Sequence, residues 1–406
     1  MDEARRDDLV QLCQGLVRYP SPSGEEGEIA AFLRSVMVSL GYDSVQVDGY
    51  GSLIGTVDFG SSGPTLLLEA QMDHAESGDP GEWRHYPFGG WVESGRIYGR
   101  GATDQKGILA AMVLALAWLK QDRRESLCGR AVMAAMVHQE SFERAASKLV
   151  ADRVSPDGVV SGEPSDLTVE RGQRGRASIA VETFGRMEHS SMGDNSSADM
   201  MVRLVSRLKE DYVPKVDPFF GEATMTLTSL HSYPVDVRTT MPIRCRATFD
   251  RRILPGETAE SVMRAIDASI SSAMRDIPSL KARAFLDGGD GHCYTGAMIS
   301  SEGFAPAWEI DVEHPFVGLV LNGVAEAGLE PVLSNRSGFG TNGCIYGGDM
   351  SVPTVVFGPS RRELAHVVDE YIEVDQLALG CKCYGSIAEK FLARKEEIPG
   401  GEGSKA

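Results

Sequence analysis

The chain has 406 residues, 42% of them hydrophobic, which suffices for one complete core and favours two. Its formal net charge of −18 argues against nucleic acid and anionic membranes as partners, because both would repel it. No apolar run approaches the ~18 residues of a membrane span, and the N-terminus lacks a signal-peptide core. Seven scattered cysteines predict reduced thiols, so we expect a cytoplasmic protein.

The first part of the chain alternates helices and strands. Helices are predicted over 25–41 and 106–121, and the second is so apolar that it should be deeply buried. Strands are predicted over 65–70, 130–139 and 158–163, and polar or acidic residues follow each of them. This alternation predicts an α/β fold, with a mostly parallel sheet sandwiched by helices.

The middle of the chain has a different pattern, in which antiparallel-type strands are interleaved with helices. The predicted strands cover 177–185, 224–232 and 243–253, and the predicted helices cover 194–211 and 257–274. The order βαββαβ is that of a small ferredoxin-like α+β domain. Because the α/β style resumes from about 313, we predict a domain of residues 176–310 inserted into a larger domain of 1–175 and 311–406.

Acidic and histidine side chains stand after strands or in loops at five places along the chain. These are QMDH (71–74), GRGATDQKG (99–107), VHQES (137–141), SGEP (161–164) and ELAHVVDEY (363–371). Taken singly they are ordinary: Asp104 could cap the following helix, and His366 could be a surface residue. Together they predict a metal site, because strand ends on one edge of a parallel sheet converge. Carboxylates with imidazole suit zinc, manganese or cobalt better than calcium.

In this order and spacing the motifs resemble those of the di-metal amidohydrolases. That family includes acetylornithine deacetylase, succinyl-diaminopimelate desuccinylase, aminoacylase and the glutamate-releasing carboxypeptidases. The resemblance spans nearly the whole chain, from YPSPSGEE at 19–26 to GPSRRELAHVVDEYI at 358–372. It implies a metal-binding catalytic domain, an inserted lid through which a homodimer forms, and a small-molecule substrate bearing an amide and a carboxylate.

The resemblance also implies two metal sites that share Asp104. One site consists of Asp104, Glu140 and His366, and the other of Asp104, Glu163 and the residue at position 71. At position 71 the family has histidine, whereas this chain has Gln71. A neutral amide is a poor substitute for imidazole at zinc, so we expect one tight metal site and one weakened site. His74 could replace the missing ligand only from a register three residues away.

Further roles follow from the same resemblance. Asp73 would orient a neighbouring ligand or the substrate, and His189 in the lid would stabilise an oxyanion in the partner subunit's active site. The segments DRRILPGE and GTNG suggest substrate contacts. These contacts are Arg252, Thr341 and Asn342.

The catalytic position departs from the family as well. The family's Glu-Glu pair, a general base followed by a ligand, falls on Gln139 and Glu140. An amide has no titratable proton, and general acid–base assistance is typically worth about 10²–10⁴ in rate. With Gln71 and Gln139 together, we expect ordinary hydrolysis to be impaired.

Three explanations remain open at the level of the sequence. Gln139 could be an engineered change in an ordinary metal-dependent deacylase or peptidase. The chain could be a non-catalytic binding protein on the same fold. The scaffold could also serve amide formation, acyl transfer to an amine, or isomerisation, and the retained ligand residues favour this third explanation.

Overall fold

The computed structural model describes residues 1–60, 62–142, 144–193, 196–235, 238–334 and 340–394. The first two residues of the helix predicted from 194, and residues 395–406 of the predicted larger domain, lie outside this part.

The described residues form eight α-helices. They are α1 (Glu3–Val17), α2 (Gly27–Ser39), α3 (Gly107–Arg123), α4 (Ala145–Val154), α5 (Ser197–Asp211), α6 (Ala259–Asp276), α7 (Pro315–Glu326) and α8 (Val374–Leu392).

The strands of the described residues are numbered in chain order. They are β1 (Ser44–Val47), β2 (Leu53–Asp58), β3 (Thr65–Gln71), β4 (Trp91–Glu93), β5 (Arg96–Tyr98), β6 (Arg130–Met136), β7 (Gly158–Gly162), β8 (Gly172–Gln173), β9 (Gly175–Phe184), β10 (Val216–Asp217), β11 (Gly221–Glu222), β12 (Thr224–Tyr233), β13 (Arg244–Ile253), β14 (Ala282–Leu286), β15 (Gly289–His292), β16 (Met298–Ser301), β17 (Phe304–Ala305), β18 (Trp308–Glu309), β19 (Thr354–Phe357) and β20 (Tyr371–Glu373).

A six-stranded central sheet has the order β1-β2-β6-β3-β7-β19. Strands β6, β3, β7 and β19 run parallel to one another, whereas β1 and β2 pair antiparallel at one edge. Every residue of β3 is buried, as expected for a strand covered on both faces. The predicted α/β fold with a mostly parallel sheet is therefore confirmed.

Helix α3 is the most deeply buried helix among those described, with residues 107–119 all inside the core. Together with the preceding turn, the run Ala102–Arg123 is long and apolar enough to cross a membrane. The apolar stretch of this run is completely buried within the fold, as is usual for the core helix of a globular domain. All seven cysteines are described, and none forms a disulfide.

A second sheet, called the lid sheet below, has the order β12-β13-β9-β14 and is antiparallel throughout. Helices α5 and α6 pack against it around a separate hydrophobic core that includes Ile179, Phe249 and Ile266. The chain order β9-α5-β12-β13-α6-β14 is the predicted βαββαβ arrangement.

The hairpin β15–β16 follows the lid strand β14 in sequence but packs elsewhere. Its residues Cys293 and Ile299 belong to the larger core, which surrounds the central sheet. The chain then returns to the lid sheet, where β17 pairs with β9.

Candidate metal centre

Asp104 lies in the turn between β5 and α3, and a buried ion pair holds this turn in place. The Glu370 carboxylate accepts hydrogen bonds from the backbone N–H groups of Thr103 (2.9 Å) and Asp104 (3.1 Å). Its other oxygen lies 2.5 Å from an Arg100 Nη1 atom, and both side chains are almost inaccessible to solvent. The pair therefore fixes the backbone from which Asp104 projects.

Asp73 follows β3 and fixes the segment that carries Gln139 and Glu140. Its carboxylate accepts hydrogen bonds from the backbone N–H groups of Gln139 (3.1 Å) and Glu140 (3.0 Å) and from the Ser23 hydroxyl (2.8 Å). Burial, followed by the nearby negative charge of Glu26, raises the pKa of Asp73 to about 7. Asp73 therefore fixes the backbone of the segment that carries Gln139 and Glu140.

Asp104, Glu140 and His366 come together from three distant parts of the chain. One potential ligand atom from each lies within 4.8 Å of the others. The Nε2 atom of His366 is 3.2 Å from Asp104 Oδ2 and 3.3 Å from Glu140 Oε1. Hydrogen bonds to Asp104 and then to Glu140 raise the pKa of His366 to about 10.

These three donors fit a divalent transition metal. Two carboxylates and one imidazole offer donor atoms close to one another, and oxygen and imidazole nitrogen are both donor types that zinc accepts in proteins. The excess negative charge around His366 also matches a dication. Sequence reasoning placed the tight site on the same three residues.

Gln71 is buried beside this triad with both ends of its amide in use. Its Nε2 donates to Glu140 Oε1 (2.9 Å), and its Oε1 accepts from Gln105 Nε2 (3.2 Å). The amide thus presents a donor, rather than a lone pair, to the carboxylate of the triad. This arrangement does not fit a second metal on Gln71.

Glu163, the other residue expected at the second metal, is also buried in the structure. Burial, and then the nearby charge of Asp104, raises the pKa of Glu163 well above its ordinary value. The Glu163 and Asp104 carboxyl groups thus repel each other when both are ionised, and a dication between them would relieve that repulsion.

A cavity of about 410 Å³ contains the triad and the neighbouring predicted residues. Eleven side chains or backbone segments form its wall: Gln71, Asp104, Gln139, Glu140, Glu163, Arg252, Gly340, Arg362, Glu363, Ala365 and His366. Arg252 comes from the lid strand β13, so the cavity lies where the lid sheet meets the central sheet edge.

Comparison with known proteins identifies the family. A family model described as "Peptidase family M20/M25/M40" matches residues 67–390, which is most of the chain. The chain belongs to this peptidase family.

Full-length relatives support the assignment to the M20/M25/M40 family. The uncharacterized protein YgeY of Escherichia coli K12 is 27% identical, with 95% of each chain covered. Succinyl-diaminopimelate desuccinylase of Paracoccus denitrificans is also 27% identical, over 95% of this chain and 99% of the relative. Family membership makes this chain a metal-dependent amidohydrolase- or peptidase-like enzyme.

The fold matches solved structures of the same family. Bacillus subtilis YXEP, described as a dinuclear metal-binding peptidase of the M20 family, superposes with a TM-score of 0.70 at 14% identity. The match covers 96% of this chain and 99% of that structure.

Some predicted residues of this M20-family chain lie away from the cavity wall. The Thr341 hydroxyl is hydrogen-bonded to Gln173, and Asn342 Nδ2 donates to Glu69 Oε2 (2.8 Å), so both side chains are buried in polar networks. His189 is exposed and hydrogen-bonded to Ser191 (2.8 Å), outside the cavity of its own chain.

His74, the conceivable substitute ligand, is engaged elsewhere. Its Nε2 accepts from the backbone N–H of Ser21 (2.9 Å), and its Nδ1–H donates to the Ala75 carbonyl (2.8 Å). Neither ring nitrogen is available to a metal.

Several residues of the site were missed at the level of the sequence. Arg100 and Glu370 support the Asp104 turn, Gln105 holds Gln71, and Arg362 and Glu363 line the cavity. The first pair spans 270 positions, so no local pattern could have joined its members. Glu363 lies three residues before His366, and that proximity was a usable signal.

Proposed function

We propose that this chain is an atypical amidohydrolase-like enzyme of the M20/M25/M40 family. It holds one tight divalent metal, zinc by preference, on Asp104, Glu140 and His366. Ordinary water activation at position 139 is impaired. The observation that carries this proposal is the Gln71 amide, which donates to Glu140 and accepts from Gln105 where a second metal would need a ligand.

The residues around the proposed metal site have separate roles. When bound, the metal acts as a Lewis acid that polarises a substrate carbonyl. Asp73 keeps the Glu140 backbone in place, and the Arg100–Glu370 pair does the same for Asp104. Gln139 lies on the cavity wall, and its amide could hydrogen-bond to a substrate but cannot take a proton from water.

The substrate that suits this cavity is a small amide that carries a carboxylate. The guanidinium groups of Arg252 and Arg362 are on the cavity wall, opposite in charge to such a group. Arg362 is already paired with the buried Glu170, whereas Arg252 is partly exposed and bonded to Asp250 (2.9 Å). Arg252 is therefore the better carboxylate contact.

An amide at position 139 suits reactions in which hydrolysis by activated water would be an unwanted side reaction. Amide formation, acyl transfer to an amine, and isomerisation of a bound carbonyl compound all fit this requirement. Gln139 replaces the family's general base and Gln71 replaces its histidine ligand, and these are the two features that activate water. The remaining ligand residues of the family pattern are kept.

We further propose a cytoplasmic homodimer formed through the lid sheet. In such a dimer the exposed His189 would reach the partner subunit's cavity and stabilise an oxyanion on the substrate carbonyl. No nucleic acid or membrane partner is expected, given the net charge of −18.

The function is tested by restoring the family carboxylate. Purified wild type, Gln139→Glu and the charge control Gln46→Glu, whose site is exposed, are assayed with zinc on a panel of N-acyl amino acids and dipeptides. We expect Gln139→Glu to raise hydrolysis about 10²–10⁴-fold, because a general base is regained. Gln46→Glu should match the wild type.

Two outcomes would overturn the proposal. Rapid hydrolysis by the wild type, unchanged in Gln139→Glu, would show that water activation does not depend on position 139. Failure of all three proteins to bind zinc would favour a non-catalytic binding protein on the same fold.

A further inference from the structure

The hairpin β15–β16 with its connecting turn (residues 289–301, called the docking hairpin) links the lid to the other core. It leaves the lid sheet after β14 and returns to it at β17. Between these points it buries Cys293 and Ile299 in the larger core. The lid is thus attached to the larger core by this hairpin as well as by the ends of the lid segment.

One side of the docking hairpin is anchored to the segment that precedes β2. The Tyr294 hydroxyl donates to the Gly51 carbonyl (2.8 Å), and the Thr295 hydroxyl donates to the Gly49 carbonyl (3.0 Å). The Tyr294 ring packs so closely on Gly51 that a Cβ there would come within 2.3 Å of it. Gly51 also has a φ of +108°, which disfavours any other residue.

The other side of the docking hairpin contacts the loop that carries Gln139 and Glu140. His138 Nε2 donates to the His292 carbonyl (3.0 Å). The Phe142 ring packs on Gly291, where a Cβ would lie only 2.2 Å from the ring. The Phe142 N–H donates to the His138 carbonyl (2.8 Å), so both ends of this short loop rest on the hairpin.

Glu140 is consequently held from two directions. Asp73 binds its backbone N–H from the central sheet, at 3.0 Å, while the docking hairpin supports the flanking His138 and Phe142. We propose that the docking hairpin is a positioning element for the metal ligand Glu140 and links lid position to metal affinity. This inference rests on the proposed metal site. It adds residues that touch neither metal nor substrate.

The inference is tested with Gly291→Ala, which displaces the Phe142 ring, and with Tyr294→Phe, which removes one anchoring hydroxyl. Gly289→Ala is the matched control on the same strand, because its Cβ would lie 3.3 Å from Phe142 and needs only a small adjustment. Val320→Ala, in the buried core at α7, controls for lost stability alone. Zinc affinity is measured by competition with a chromophoric chelator, and thermal unfolding is measured in parallel.

We expect Gly291→Ala to weaken zinc binding about 10–100-fold, as outer-shell changes at metal sites do. Gly289→Ala and Val320→Ala should bind zinc with the affinity of the wild type, and the affinity of Tyr294→Phe should fall between theirs and that of Gly291→Ala. Hydrogen exchange of the peptide covering 138–142, without added metal, should accelerate most in Gly291→Ala, less in Tyr294→Phe, and not in Gly289→Ala or Val320→Ala.

The inference would be overturned if Gly291→Ala and Val320→Ala lost zinc affinity in the same proportion to their loss of thermal stability. Unchanged affinity and unchanged exchange in Gly291→Ala would also overturn it. Absence of zinc binding by the wild type would instead count against the proposed function. The exchange measurement would still test the hairpin's hold on the loop.

Discussion

His74 is a histidine next to the metal centre that the structure keeps neutral. The backbone N–H of Ser21 donates a hydrogen bond to Nε2 of the ring, and Nδ1–H of the ring donates one to the Ala75 carbonyl. Burial, and then the positive charge of Lys106, lowers the pKa of His74 to about 4. The neutral ring thus supports the turn after β3.

This environment predicts a pH-dependent contribution to stability. In the unfolded chain His74 gains a proton near pH 6.5, whereas the folded state resists protonation until about pH 4. Its stabilisation is therefore complete above pH 6.5 and declines as the pH falls toward 4, by about 3 kcal/mol in total. Urea unfolding at pH 5 and pH 7.5 should show a smaller pH difference in His74→Gln than in the wild type.

Replacement of the exposed His231 by glutamine is the control, and it should leave the difference unchanged. Comparing proteins in this way cancels the opposite trend of buried carboxyls such as Asp73. Equal pH dependence in His74→Gln and the wild type would contradict this account of His74.

At the residue scale, the sequence indicated the three side chains that the structure brings together as a candidate metal site, but not the residues that support them. Asp104, Glu140 and His366 stand in motifs whose spacing is visible along the chain. The hydrogen bonds that fix the backbone of Asp104 and Glu140 come from Glu370 and Asp73, whose role depends on which strand ends become neighbours. For Asn342 the motif indicated a substrate contact, whereas tertiary packing directs its amide to Glu69.

At the scale of elements, the turn before α3 depends on one buried ion pair between distant segments. Arg100 precedes the turn and Glu370 precedes β20, and their side chains are 3% and 0% exposed. Removing one partner would leave an unpaired charge in the interior, which is far costlier than losing a surface pair.

Arg100→Ala should therefore lower the free energy of unfolding by about 3–5 kcal/mol. Arg264→Ala, which breaks the exposed i,i+4 pair with Glu260 on α6, should cost about 0.5 kcal/mol or less. Urea denaturation of both variants checks the difference. Similar small losses in both would show that the pair does not hold the turn.

The helices and strands themselves were largely predictable from periodicity. Helix α3 was expected over 106–121 and occupies Gly107–Arg123, and β13 was expected over 243–253 and occupies Arg244–Ile253. The docking hairpin was not predicted, because its two strands are short and it packs against a core that is distant in sequence. Such packing depends on tertiary contacts, which produce no periodic pattern of apolar residues in the local sequence.

At the scale of the whole molecule, the lid sheet has an available edge. Strand β12 forms one edge of this sheet among the described residues, and Leu230 and Tyr233 on it are 43% and 55% exposed. An edge strand with exposed apolar side chains invites pairing with another chain. This feature supports the proposed dimer through the lid.

Sedimentation equilibrium should give twice the chain mass of 43.8 kDa for the wild type. Leu230→Lys should shift the equilibrium toward the monomer, because charged side chains on an edge oppose pairing. Val47→Lys, at an exposed apolar position on the edge strand β1 of the central sheet, is the control and should remain dimeric. A monomeric wild type would rule out the proposed dimer.

The number of metal ions per chain tests the central claim most directly. Wild type and Gln71→His are loaded with excess zinc, passed through a desalting column, and analysed by inductively coupled plasma mass spectrometry. The account predicts one retained zinc per wild-type chain and a second in Gln71→His, where imidazole replaces the amide that now bonds to Glu140 and Gln105. Two tightly held zinc ions in the wild type, or none, would contradict it.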